Sequence, residues 1–521
     1  MKVILSICFI LSLLSCSSEI KEDNMILEKG NSILTKSMLE SVNDLNSNNG
    51  LYKQNFSIAL AQAMSESLAL RHFIKYEALK MFDKDYDILY YKLRNTLVDG
   101  ERTFRDLLLP YFNKVSDLDD IESNCPLLTI LVTNLPNDIF SAESWNIETE
   151  SPYVAYIPDG VTYFNYVRSD GSEFHLDKGH LLFSPFVIVK LSDRVSVSGV
   201  TLTKSQDQSV PVYDFCFNLP FFDPNVQDVT KTKAIVSRPK DPMWGDPNSY
   251  VPQKLVDAYN IYKTSDGWQR DYIYYGLSPS KTHGAFSYDF QEAIHSFELI
   301  ADKGEPSKAL FNYLSDSPED PELAGIVSEG YFEFMFRCYV NGTNGVGNIS
   351  ELTYQVDRND LFIIQWNQTS GDPTTGPAGY ISSIQPKRVE INLPIFNWDL
   401  SQYSSSIKIS VEEVDPSGHT LVSEEFSGTV ATNFEATSAG LEKIGLKFGT
   451  SSTQTYKYKL QRVVYHENDA LGDVTINFGD KFFIDYELYN PGIPGLVADQ
   501  YTTREYSSGM ISLDVWPIKV Q

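Results

Sequence analysis

Cysteine is scarce in this chain, and its few copies lie far apart. Five cysteines occur in 521 residues: Cys8 and Cys16 lie at the N-terminus, and Cys125, Cys216 and Cys338 follow at long intervals. This odd number and wide spacing exclude a disulfide framework and a zinc motif built from closely spaced cysteines. We predict buried strand thiols at Cys216 and Cys338, and one disulfide between two of the three later cysteines is the alternative.

Positive charge is also scarce. Lysine and arginine total 42 against 69 aspartates and glutamates, which gives a formal net charge of −27. Such a surface repels phosphate backbones and anionic headgroups, so it excludes nucleic acid and anionic membrane surfaces as direct partners. The charge suits a solvated cell-surface protein that takes up Ca²⁺.

The apolar run at the N-terminus is too short to cross a membrane. Val3 to Leu14 is interrupted only by two serines, and its length is that of a secretory signal core. A spanning helix needs roughly 20 apolar residues. Lys2 supplies the positive charge that precedes such a core, and the small residue Ser15 comes directly before Cys16.

Leu13, Ser15 and Cys16 resemble the signal of a bacterial lipoprotein. The resemblance implies that Cys16 is acylated and becomes the new N-terminus, because only a thiol forms the thioether to a diacylglyceryl group. Two or three acyl chains, at about 0.8 kcal/mol per buried CH₂, make a stable membrane anchor. The alternatives are an ordinary signal peptide with an incidental cysteine and an uncleaved anchor.

Longer segments resemble uncharacterised surface lipoproteins of the Bacteroides-type lineage. The mature start "CSSEIKEDN" is similar to an acidic export tag. The stretches "FSIALAQAMSESLALRHFIKYEALKMFDKDYDILY" and "IFNWDLSQYSSSIKISVEEVD" look like that group as well. The resemblance implies a location at the bacterial outer membrane or cell surface and brings no activity with it.

Hydrophobic periodicity predicts a multidomain α+β fold. Apolar residues at spacings of three and four, which form one stripe on a helix surface, predict a helix over 54–82. Further helices are predicted over 86–98 and 103–114. "QKLVDAYNIYK" and "FQEAIHSFELIADKG" are predicted as short helices. The predicted segments are a signal peptide (1–15), a tether (16–50), a helical module (51–145), a β-rich unit (150–222), a mixed α/β region (223–320) and a C-terminal β-sandwich (325–521).

Aromatic residues make up 13 % of the chain and favour β-structure in its second half. In "YFEFMFRCYV" the residues Phe332, Phe334 and Phe336 alternate with Glu333 and Arg337, which is typical of a strand. Similar short runs follow at roughly 8–20-residue spacing, and regular strands separated by turns predict a sandwich.

Familiar catalytic motifs are missing from the sequence, which contains no HExxH, GxSxG or P-loop. Asp83, Asp85 and Asp87 begin like an EF-hand loop, but Ile88 and Arg94 occupy the positions that require glycine and glutamate. We predict that these acids cap the next helix.

A cluster of metal-binding residue types follows an Asp-Gly turn. In "EFHLDKGH", Glu173, His175 and Asp177 would share one strand face, where histidine and carboxylate ligands suit a metal, and His180 lies close by. With Trp244 and Trp268 in loops, this cluster motivates the hypothesis of a metal- or carboxylate-dependent hydrolase. A solvated hairpin is the alternative. The sequence thus supports one enzymatic hypothesis and identifies no catalytic residue.

The stretch "VVYHENDALGDVTINF" resembles the calcium-loop strand pair of C2 sandwiches. The resemblance places Asp469 at a loop carboxylate position, although His466 and Glu467 stand where the first loop aspartate belongs. It implies a Ca²⁺ site formed by Glu467 and Asp469. A solvated loop is the alternative.

These observations favour a non-enzymatic, lipid-anchored surface protein that binds a ligand or scaffolds a complex. Its membrane contact is the lipid anchor, and its ligand is a glycan or a protein. Tyrosines such as those of "RDYIYYG" either stack on that ligand or form core. Two alternatives stay open: the hydrolase and a toxin-like pore-former, which requires long amphipathic segments.

Overall fold

A computed structural model of the protein describes residues between 49 and 520. It omits 137–138, 162, 178, 193, 206–207, 218–226, 229–250, 265–266, 283, 301–313, 315–330, 343–346, 370–375, 415–418, 432–433, 437–442, 446–452, 466–468 and 490–497. The predicted signal and lipid cysteine, and the predicted tether up to residue 48, lie outside the described residues.

Helices are concentrated before residue 125, and strands dominate the rest. The helices are α1 (Asn49–Glu66), α2 (Leu68–Ala78), α3 (Tyr90–Leu93), α4 (Phe104–Leu108), α5 (Val115–Asn124), α6 (Gln253–Tyr262), α7 (Gln269–Tyr275) and α8 (Arg358–Leu361). The first ten strands are β1 (Asp87–Leu89), β2 (Leu128–Val132), β3 (Tyr153–Tyr156), β4 (Asn165–Val167), β5 (Glu173–His175), β6 (Leu181–Leu182), β7 (Phe186–Leu191), β8 (Val195–Ser205), β9 (Gln208–Phe217) and β10 (Gln227–Asp228).

The later strands run almost to the C-terminus. They are β11 (Phe290–Leu299), β12 (Tyr331–Gly342), β13 (Gly347–Asp357), β14 (Phe362–Thr369), β15 (Ala378–Pro386), β16 (Arg388–Phe396), β17 (Tyr403–Glu413), β18 (His419–Ala431), β19 (Phe434–Ala436), β20 (Lys443–Gly445), β21 (Thr453–Tyr465), β22 (Asp469–Asn477), β23 (Phe483–Tyr489), β24 (Ala498–Thr503), β25 (Glu505–Ser508) and β26 (Ile511–Lys519). The predicted multidomain α+β class is confirmed.

The helix predicted over 54–82 is interrupted at Ser67. The Ser67 hydroxyl accepts a hydrogen bond from the Leu70 amide at 3.1 Å and caps α2. The predicted apolar stripe is buried in both halves, and Phe56 and Ile74 are fully inaccessible. The apolar spacing is thus the same on both sides of Ser67, and it does not show that the segment forms two helices instead of one.

Two further helix predictions are wrong in extent. In 86–98 the chain first forms β1, where Ile88 pairs with Ile130 of β2, and only four helical residues follow. In 103–114 the helix α4 passes into a short 3₁₀ turn at Pro110, which has no amide hydrogen to continue an α-helix.

The N-terminal layer contains a six-stranded sheet. Its described strands have the order β1-β2-β7-β3-β4-β5, and the β3–β7 pair is parallel. The first two strands come from the segment predicted as helical, and the other four come from the predicted β-rich unit. The helices α1 and α2 pack against this sheet through their buried stripe.

Two further sheets, of five and four described strands, form the sandwich, which also takes in β10 and β11 from before residue 325, where the predicted sandwich begins. The described part of one has the order β10-β13-β12-β17-β22, and that of the other β16-β11-β26-β25. Phe297 of β11 links them, because its ring lies 5.1 Å from that of Phe334 and 5.6 Å from that of Phe336. The predicted face of β12 is therefore the inner face of the sandwich.

The helix predicted at "FQEAIHSFELIADKG" is wrong for Phe290–Leu299, which form the central strand β11. Apolar residues recur there at helical spacing, as Phe290, Ala293 and Phe297 show. The strand lies between β16 and β26 and is largely buried on both faces, so it lacks the polar alternation that marks a half-exposed strand.

A three-stranded sheet joins the N-terminal layer to the second half of the chain. Its described strands have the order β14-β15-β6, and Leu181 of β6 pairs with Gly379 of β15. The four remaining sheets are two-stranded ribbons in the described residues: β8-β9, β18-β21, β19-β20 and β23-β24.

Candidate ligand-binding face

The residues predicted as a metal cluster do not converge. Glu173 accepts a hydrogen bond from the Tyr156 hydroxyl at 2.6 Å and another from Gln54 Nε2 at 3.0 Å. The His175 ring lies 5.1 Å from that of Tyr163. Across the part of the chain that the structure describes, no group of three histidine, cysteine or acidic side chains has the geometry of a metal site.

The other residues of the hydrolase hypothesis lie in different surroundings. Trp268 packs against Phe478, with 5.9 Å between ring centroids, and Trp244 lies outside the described residues. The His180 ring contacts the ring of Tyr380, with 5.4 Å between the ring centroids. Tyr380 is a partly exposed residue of β15, so His180 lies beside the solvent-facing side of the sheet formed by β6, β14 and β15.

Cross-strand pairing places a row of uncharged polar side chains on that outer side. Ile363 pairs with Gln385, Gln365 with Ser383, and Asn367 with Tyr380. Directly opposed residues in an antiparallel pair share one face.

We use the name neutral face for the polar members of these pairs together with His180, which contacts Tyr380. The neutral face consists of His180, Gln365, Asn367, Tyr380, Ser383 and Gln385.

A bulge keeps these residues on one side of the sheet. The pairing shifts between Gln365 and Trp366, where β15 contains the extra residue Ser382. Ser382 donates a hydrogen bond to the Gln365 carbonyl at 3.0 Å. The alternation of β15 is thereby reset, so that Ser383 and Tyr380 both lie beside exposed residues of β14.

The opposite side of the same sheet is apolar. Ile381 and Ile384 are buried there, and Trp366 packs against Phe183 with 5.4 Å between ring centroids. A side chain at Gly379 would collide with the Phe183 ring, since a Cβ would lie 2.3 Å from it. This packing fixes the sheet and presents the neutral face to solvent.

The neutral face retains unused hydrogen-bonding groups. Asn367 Nδ2 donates to the Tyr380 hydroxyl at 3.1 Å, and the Ser383 hydroxyl donates to Gln365 Oε1 at 2.8 Å. Among the described residues, the Gln365 amide nitrogen, the Asn367 carbonyl oxygen and the whole Gln385 amide have no hydrogen-bond partner. These groups are available to a ligand.

The neutral face also provides apolar contact surface. Ile363 is 47 % exposed at one end of the face, and Tyr380 is 39 % exposed opposite Asn367 at the other end. The buried Nδ1 atom of His180 has no hydrogen-bond partner in the described structure.

Charge is nearly absent from these two strands and the connection between them. Residues 362–386 contain a single aspartate, glutamate, lysine or arginine, which is Asp372. At the average of 21 % charged residues in the chain, a segment of this length would carry about five. The low charge is the one signal in the sequence that could have drawn attention to the face.

The three aspartates considered as an EF-hand are buried and do not cap a helix. Asp83 Oδ1 accepts from the Asp85 amide at 3.3 Å, and Asp85 Oδ1 accepts from the Tyr86 amide at 2.7 Å. No side chain caps the following helix α3, whose N-cap residue is Leu89. The prediction of helix capping is therefore wrong, because these acids are drawn into the core.

Basic groups surround these aspartates. Lys190 Nζ lies 3.5 Å from Asp87 Oδ2. The Arg194 guanidinium acts electrostatically on Asp83 and forms a bidentate pair with Glu333 of β12 at 2.6 and 3.1 Å. The buried acids thus belong to a charged junction between the N-terminal layer and the sandwich.

Burial dominates the ionisation of Asp83. The pKa of Asp83 is raised to about 7: loss of solvent is the largest cause, the negative charge of Asp85 acts in the same direction, and Arg194 and Lys190 oppose them. A carboxyl that holds its proton to neutral pH makes this junction sensitive to pH.

The predicted calcium ligands are only partly described. Glu467 lies outside the described residues, and Asp469 is the first residue of β22. Asp469 pairs across the strands with Glu413, the last residue of β17. The site therefore stays a prediction.

Two smaller predictions concern tyrosines and thiols. In "RDYIYYG", Tyr274 and Tyr275 are buried and donate hydrogen bonds to Glu292 and Asp399, so the core alternative holds for both. The later cysteines are all free thiols. Cys338 is buried in β12 as predicted, and Cys125 is buried. Cys216 lies in a strand, β9, as predicted, but the prediction that it is buried is wrong, since it is partly exposed.

Within the described residues, no helix combines the length and the apolar character that crossing a membrane requires. Comparisons of the chain with protein-family models, with curated proteins and with solved structures found no match.

Proposed function

We propose that this protein is held at the bacterial outer membrane or cell surface by acyl chains on Cys16 and binds an extracellular ligand through its β-rich part. The observation that carries the proposal is the neutral face, where partly exposed side chains with unused hydrogen-bonding groups lie on a sheet fixed by an apolar underside. An acidic, tethered body suits ligand capture near a membrane.

Binding is better supported than hydrolysis. The hydrolase hypothesis depended on Glu173 and its neighbours, yet both Glu173 oxygens accept hydrogen bonds from Tyr156 and Gln54. A general acid or nucleophile needs an oxygen directed at substrate, and these hydrogen bonds direct the Glu173 carboxylate toward its own protein. The surroundings of Glu173 therefore support hydrolysis less than the neutral face supports binding.

The test is a combined glycan and protein array probed with the full chain in detergent. We expect at least one ligand to be bound by the wild type and bound more weakly by Tyr380→Ala. Tyr288→Ala is the matched control, because Tyr288 is 61 % exposed and lies before β11, outside the face. Equal binding by all three proteins, or no binding by any, would contradict the proposal.

Calcium uptake is a second proposed property and concerns the loop between β21 and β22. Its support is the resemblance of this loop to the C2 calcium loop and the position of Asp469 opposite Glu413. Carboxylate oxygens are the ligands that Ca²⁺ prefers.

A further inference from the structure

We infer that the neutral face binds an uncharged oligosaccharide. This inference rests on the proposed ligand-binding function and names the class of ligand for the same face. Three properties of the face support it: its charge, its hydrogen-bonding groups and the amount of apolar surface that it exposes.

The charge of the face excludes strongly ionic ligands. A polyanion would be repelled by a molecule of net charge −27 and would find no lysine or arginine among residues 362–386. A basic peptide would find no carboxylate within the neutral face itself. Electrostatic complementarity therefore favours a ligand without charge.

The hydrogen-bonding groups match sugar hydroxyls. The side-chain amides of Gln365, Asn367 and Gln385 offer both donors and acceptors, and the Tyr380 hydroxyl has a proton to donate while it accepts from Asn367. Each hydroxyl of a sugar is likewise donor and acceptor, so the two surfaces can satisfy each other without ions.

The apolar surface suits a sugar ring better than a protein interface. A protein–protein interface normally has an apolar, aromatic-rich centre. Here Ile363 and Tyr380 are the exposed large apolar side chains, and they are separated by polar rows. A tyrosine ring flanked by amides can contact the C–H face of a sugar while the amides bind its hydroxyls.

The dimensions allow a short chain of sugars. Ile363, Gln365 and Asn367 are every second residue of β14, so their side chains lie roughly 7 Å apart and the face is about 13 Å long. Across the strands, the face extends over β14 and β15 to His180, which precedes β6. The face thus accommodates a few sugar rings lying along the strands.

Affinity electrophoresis tests this inference directly. The full chain in non-ionic detergent is run in native gels that contain an uncharged polysaccharide (dextran, inulin, galactomannan or xyloglucan) or an anionic one (polygalacturonate or chondroitin sulfate). We expect at least one uncharged polymer to retard the wild type and the anionic polymers to leave its mobility unchanged.

Variants link the retardation to the face. Tyr380→Ala is expected to weaken binding about tenfold, which corresponds to loss of one aromatic contact. Gln385→Ala removes an exposed amide that makes no hydrogen bond in the described structure, so it tests the face even where Tyr380→Ala fails to fold. Tyr288→Ala is expected to bind like the wild type.

The outcomes separate this inference from the proposed function. Retardation by anionic polymers alone, by no polymer, or equally for every variant would overturn the oligosaccharide assignment. If the array then shows a protein ligand that depends on Tyr380, the binding function stands and only the ligand class is wrong. If neither experiment shows a ligand that depends on the face, both fail.

Discussion

Asp83 shows how far the role of a residue depends on partners distant in sequence. The alternation of Asp83, Asp85 and Asp87 is visible in the sequence, and it led to the prediction that these acids cap the next helix. Their burial is not visible there, because the contacts that enclose them come from Arg194 and from β12 and β13 of the sandwich. Gln355 Nε2, for example, donates to the Lys84 carbonyl at 3.0 Å.

Asp83 gives a prediction about pH. The raised pKa means that the folded state keeps the Asp83 proton to about pH 7, while the unfolded chain loses it near 3.8. The folded state therefore binds more protons between these values, and the contribution of Asp83 makes the free energy of unfolding fall as pH rises, by at most about 1.4 kcal/mol per pH unit. Thermal unfolding between pH 4 and 8 measures this slope.

Substitution isolates the effect of this one carboxyl. Asp83→Asn is expected to flatten the slope between pH 4 and 7 and to be more stable than the wild type at pH 8. Asp99→Asn is the control, because hydrogen bonds from Arg102 lower the pKa of the exposed Asp99 to about 2, below the range measured. An unchanged slope in Asp83→Asn would show that Asp83 titrates normally.

Among the secondary-structure elements, β12 and β11 show what periodicity can and cannot reveal. The alternation of "YFEFMFRCYV" predicted β12, its inward phenylalanines and its buried thiol Cys338. The helix prediction for β11 is wrong because a strand paired on both sides and buried on both faces needs no polar alternation. Local pattern identifies an element only when one of its faces meets water.

The neutral face was hidden for a related reason. His180 and Tyr380 are 200 positions apart, and they become neighbours only through the pairing of β6 with β15. The bulge at Ser382, which orients Ser383 and Tyr380, depends on register and not on composition. Of the properties of the neutral face, only the low charge of residues 362–386 is visible in the sequence.

The loop between β21 and β22 carries the prediction of calcium binding. Isothermal titration of the full chain with Ca²⁺ should release or absorb heat in the wild type, and Asp469→Ala should bind at least about tenfold more weakly because one carboxylate ligand is lost. Asp473→Ala is the control. Asp473 lies within β22, outside the loop, and its carboxylate forms an ion pair with Lys408 at 2.7 Å. Identical heats for wild type and Asp469→Ala would end the proposal.

On the scale of the whole molecule, composition and period were sufficient for the fold class. They predicted helices before residue 145 and a sandwich near the C-terminus, and this α+β arrangement is confirmed. They did not predict that β1 and β2 join the sheet of the next segment, or that Arg194 and Glu333 tie that layer to the sandwich. Such contacts depend on three-dimensional proximity that no local pattern encodes.

We propose that this acidic, β-rich body is attached to a membrane through Cys16. Mass spectrometry of the native protein tests this attachment, with Cys16→Ser as the control that cannot form a thioether. We expect the mature N-terminal peptide to begin at Cys16 and to carry the mass of a diacylglyceryl group, and the Cys16→Ser protein to lack it. An N-terminal peptide that begins at Met1, or one that begins at Cys16 without acyl mass, would contradict the account.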